Sequence, residues 1–77
     1  MSDQARPVQL QLNNSGAWKT LVRFDAGNEA LAEKAYQAGT LLADINPDLG
    51  LRIATAEPLP SVLVRWVAGQ GWKAVCR

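Results

Sequence analysis

The residues whose types could carry covalent or acid–base chemistry are few: three serines, a glutamate pair, one cysteine and a glutamine between two glycines. Ser2, Ser15 and Ser61 fall in a tail, a turn and a strand edge, and the chain has no histidine to activate any of them. Glu29 and Glu33 are one helical turn apart and read as a solvated helix start, where the dipole favours negative charge. Cys76 reads as a small apolar filler rather than a reactive thiol. Gly69-Gln70-Gly71 looks like a phosphate loop, but it lies between two strands and lacks the amide cluster of a helix start. Asn13-Asn14-Ser15 fits a glycosylation sequon, which has no meaning without secretion. No enzyme, no cofactor and no ordinary zinc or iron site is expected, since the latter draw on His and Cys.

The charges are more informative than the nucleophiles. The net charge of +1 says little, but strand alternation sorts the signs. Lys19, Arg23, Arg52, Arg65, Lys73 and Arg77, six of the eight basic residues, are expected on the sheet face that no helix covers. Leu21, Ala54, Leu63, Val67 and Val75 are interleaved with them. The acids (Asp3, Asp25, Glu29, Glu33, Asp44, Asp48, Glu57) are assigned to the tail, the helix or the connections, none at an outward strand position.

The elements that hold those residues follow from periodicity. Residues 28–45 form the one helix, with Leu31, Ala35, Ala38, Leu42 and Ile45 along its inward side. Asn28 or Asp25 supplies the cap, and Asn46-Pro47 ends the helix because a residue before proline leaves helical space. Gly39 costs roughly 1 kcal/mol relative to alanine, which close backbone approach to a sheet would offset. Val8, Leu10 and Leu12 alternate with Gln9 and Gln11 in the first strand. In the second, Trp18, Thr20, Val22 and Phe24 share a face. Keeping Trp18 with Leu12 requires an odd loop, so Asn14-Ser15-Gly16 is expected, with Gly16 left-handed. Leu51, Ile53 and Thr55 mark the third strand, and Glu57-Pro58-Leu59-Pro60 a stiff extended connector. Residues 61–67 and 72–77 form the last two strands. A loop Gly69-Gln70-Gly71 keeps Val62, Val64, Trp66, Trp72, Ala74 and Cys76 inward, and it avoids burying Lys73.

The expected fold is α+β: a two-layer sandwich, an antiparallel-rich sheet of about five strands with one helix across one face, in the order β-β-α-β-β-β. Strand order stays open, the third strand lying beside the first or the second. Residues 1–7 read as a mobile tail and 8–77 as one domain, close to the smallest size at which an apolar core suffices. The lone thiol suits a reducing cytoplasm, and neither a signal peptide nor a run of about 18 apolar residues is present.

The expected function is a small non-catalytic interaction module whose working surface comprises Lys19, Leu21, Arg23, Arg52, Leu63, Arg65, Val67, Lys73 and Val75. A protein partner with an acidic surface fits better than self-association, because like-charged faces repel; the chain is then a monomer or weak dimer, with no membrane role. RNA or single-stranded DNA is the alternative ligand of the same face. Against it stands the assignment of all three Trp inward, leaving no stacking platform. The plainest alternative is that these cations only solvate a strand surface or discourage edge aggregation.

Overall fold

The computed structural model describes residues 6–75. Five antiparallel strands, β1 (Pro7–Asn13), β2 (Trp18–Asp25), β3 (Gly50–Thr55), β4 (Val62–Val67) and β5 (Gly71–Ala74), form one sheet in the order β2-β1-β3-β4-β5. One helix, α1 (Glu29–Ile45), crosses one face. This is the α+β layout expected from periodicity, and it places β3 in the middle, paired with β1 and β4. The connection through α1 carries the chain from one edge of the sheet to its centre.

Local chemistry accounts for the ends of α1. The Asn28 side chain accepts a hydrogen bond from the Leu31 amide at 3.2 Å, supplying one orphan donor of the first turn with an acceptor. At the other end the Asn46 amide donates to the Leu42 carbonyl at 3.0 Å, and Pro47 stops further winding. Asp25, at the end of β2, accepts from the Arg6 and Gly27 amides at 2.9 and 2.8 Å. Those two bonds hold its carboxyl below the usual aspartate range.

The core lies between α1 and the sheet. Val8, Leu10 and Ile53 are buried there, with Phe24, Tyr36, Val64 and Trp72 packed around them. The helix meets this face through its small residues: Ala35, Gly39 and Ala43 are buried, whereas Leu31 is 41% and Ile45 79% exposed. The inward line is therefore turned from the expected Leu31–Ala38–Ile45 side. Trp72 is the physical reason. A Cβ on Gly39 would run into Cζ2 and Cη2 of that indole. The indole N–H donates to the Tyr36 carbonyl at 3.2 Å, and its ring meets Tyr36 edge-on at 5.2 Å and Trp66 at 5.7 Å.

Three other expectations change in detail. Pro7 belongs to β1, and its carbonyl accepts from the Ala56 amide, so the chain is tied in from there; residues 1–5 of the expected tail lie outside the described residues. The proline-bearing connector is not extended: the Thr55 amide donates to the Ser61 carbonyl and the Ser61 amide to the Thr55 hydroxyl, closing a loop. The β4–β5 loop is Ala68-Gly69-Gln70, one residue earlier than expected, so Trp66 pairs with Trp72 rather than with Ala74. Its odd length preserves the inward side of both tryptophans.

Candidate interaction surface

Two bulges decide what the uncovered sheet face displays. In β2, Leu10 pairs with Val22 but Gln11 pairs with Thr20, leaving Leu21 as the extra residue. The turn before it has four residues, 14–17, because Asn13 pairs with Trp18. Val22 and Phe24 therefore stay on the helix side, while Trp18 and Thr20 pass to the open face and Lys19, opposite Leu12, leaves it. In β4, Ile53 pairs with Val64 but Ala54 pairs with Val62, making Leu63 the extra residue. Val62 thereby joins the open face, and Leu63 lines a small cavity with Phe24, Ala32, Tyr36 and Ile53 under the helix.

Four of the six expected cations stand on the open face: Arg23, Arg52, Arg65 and Lys73. Lys19 does not, and Arg77, like Cys76, lies outside the described residues. Of the expected apolar positions, Val67 and Val75 line the same shallow groove as Arg65 and Lys73. Leu63 does not belong to it, and Leu21 sits at the bulge, largely exposed. The acids are not wholly confined to helix and connections either. Asp25 closes β2 opposite Pro7, with the parity of Arg23, but its carboxylate is occupied by the two backbone amides.

Beneath the cations lies a polar layer. Gln9 and Gln11, on the side of β1 opposite Val8, Leu10 and Leu12, are only 5% and 6% exposed. Gln9 accepts from the Thr20 hydroxyl at 3.0 Å and from Arg23 Nε at 3.4 Å, and donates to the Thr55 carbonyl at 3.2 Å. Gln11 donates to the Thr20 hydroxyl at 3.3 Å and accepts from Arg52 Nε at 2.7 Å. Every buried side-chain polar atom among the described residues has a partner. Two glutamines alternating with Val8, Leu10 and Leu12 are the sequence signal for such a layer, but alternation reads equally as a wet face.

Arg52 is fixed from two sides. Gln11 holds its Nε, and its guanidinium carbon sits 4.0 Å from the centroid of the Trp18 ring, a cation–π contact. Partial burial pushes its pKa below the ordinary guanidinium value, yet an arginine stays charged at any physiological pH. Register then sets Arg52 directly opposite Arg65, and Arg65 directly opposite Lys73. Three cations thus run in line across β3, β4 and β5, at the roughly 5 Å spacing of adjacent strands. Like charges directly opposed across strands are destabilising. No carboxylate stands at a facing register position in this row.

The row forms the floor of a groove of about 890 Å³, with Trp18, Val62, Val67, Gln70 and Val75 among its walls. Among the described residues no group of His, Cys, Asp and Glu is placed to hold a metal ion, and no helix is long and apolar enough to cross a membrane. Comparison with protein-family models, with curated proteins and with solved structures produced no match, so the reading of this surface stands on its own chemistry.

Proposed function

We propose that this chain is a small non-catalytic interaction module of a reducing, cytoplasmic compartment, and that its open sheet face takes an anionic partner. The observation that carries the reading is the in-line row Arg52–Arg65–Lys73. It costs stability in the free protein, and a bound anion relieves it. Edge protection does not account for the row, because Arg52 and Arg65 lie on interior strands. An acidic partner fits better than a second copy, whose identical face would set four more cations against Arg23, Arg52, Arg65 and Lys73 unless the charges staggered; the protein is then a monomer or weak dimer.

Retention on a polyanion matrix such as heparin–agarose tests the face. Wild type is retained at low salt, and Arg52→Gln, Arg65→Gln and Lys73→Gln each elute earlier while Lys34→Gln, on the helix, does not. Equal retention of all five proteins contradicts the reading.

A further inference from the structure

Resting on that reading of the face, we infer that its ligand is a single-stranded nucleic acid, with phosphates along the cation row and an unstacked base against Trp18. Three features distinguish this from an acidic protein segment. The first is where the charges sit. The centre of a protein interface is depleted of charge apart from arginine, and of lysine in particular, whereas here Lys73 continues the line of Arg52 and Arg65, with Val67 and Val75 beside it.

The second feature is the aromatic ring. Trp18 remains 38% exposed although Arg52 packs on it and its Cη2 atom overhangs Gly50. A ring joined to a cation row is the combination by which single strands are bound without duplex geometry: cations follow the backbone and aromatic faces take bases. The path is continuous, running from Lys73 on β5 through Arg65 and Arg52 to Trp18 on β2.

The third feature is location. Extended peptides are commonly captured along a sheet edge through main-chain hydrogen bonds. These residues lie on the sheet's face, where only side chains are offered. Preorganisation strengthens the case, since Arg52 is held by Gln11 before any ligand arrives.

Fluorescence anisotropy of the full chain with labelled oligo(U) and oligo(dT), each about 10 nucleotides long, tests the proposal. Binding of either supports it, and the tighter one identifies RNA or DNA as the source. Trp18→Ala should weaken binding roughly ten- to a hundredfold, with Trp18→Phe restoring most of it because a stacking ring is kept. Arg65→Gln should lower the slope of log K against log salt by about 0.7, the value for one single-strand phosphate contact. Circular dichroism melts establish that each variant is folded. If poly-L-glutamate competes as well as unlabelled oligonucleotide at equal charge and Trp18→Ala changes nothing, the ligand class is wrong while the anionic face stands. If neither polymer binds at about 50 mM salt, both the inference and the reading beneath it fail.

Discussion

The two faces of this sheet are built on opposite principles from the same alternating strands. The covered face is apolar and closes by proximity, small helix residues lying against Trp72 and the aliphatic side chains of β1 and β3. The open face closes by hydrogen bonding: two glutamines are buried under Thr20, Arg23 and Arg52, and the charges they support point outward. The first arrangement stabilises the fold, whereas the second holds a stability-costing row of cations in a fixed geometry.

The sharpest way to break the covered face is Gly39→Ala. The new methyl collides with an indole pinned by Tyr36 and Trp66, and overpacking of this kind costs about 1–3 kcal/mol, offset in part by the roughly 1 kcal/mol helix preference of alanine. Urea unfolding followed by tryptophan emission measures the net loss. An unchanged midpoint would show that the helix does not rest on Trp72.

Gln11→Leu attacks the other face. It strips Arg52 Nε of its acceptor and removes one of the two hydrogen bonds of the Thr20 hydroxyl, which keeps Gln9; leaving the Arg52 donor unpaired costs about 1–3 kcal/mol. The same unfolding experiment reads it, and because Arg52 is released, anion binding weakens as well. A variant as stable as wild type would mean that the polar layer contributes nothing.

Arg65→Glu separates stability from binding. The new carboxylate stands between Arg52 and Lys73, and opposite charges in that register contribute about 0.2–1 kcal/mol per pair. Thermal melts should show a slightly more stable protein that no longer binds a polyanion. A destabilised variant would contradict the like-charge account of the row.

The smallest effect belongs to Asp25. Its lowered pKa means its stabilising contribution is present above the ordinary aspartate range and is lost as pH falls through the lowered value. Asp25→Asn should therefore lose less stability than wild type below about pH 4, seen in unfolding midpoints across that range. Parallel pH profiles would show that the two backbone hydrogen bonds do not hold the carboxylate.

These contrasts also explain which parts of the molecule were legible in the sequence. The helix was, because Asn28, the apolar spacing and Pro47 all agree. So were five strands and the inward pairing of Trp66 and Trp72, since an odd loop fixes parity whichever three residues form it. The displaced inward line of α1 was not, because it depends on the indole of a strand more than thirty residues later, and local periodicity favours the larger Leu and Ile. Nor were the two bulges. Leu21 and Leu63 are ordinary strand residues with no glycine to announce an insertion, yet each flips the strand residues that precede it. The missed face of Trp18 mattered most, since it supplies the aromatic whose assumed absence counted against nucleic acid.

The central claim is that ligand binding belongs to the open face alone. Titrating the isotope-labelled protein with oligo(U) while following its amide and indole resonances tests this directly. The account predicts shifts at the Arg52, Arg65 and Lys73 amides and the Trp18 indole, with the helix flank at Leu31, Leu41 and Ile45 unmoved. Shifts gathered on that flank, or no shifts at low salt, would contradict it.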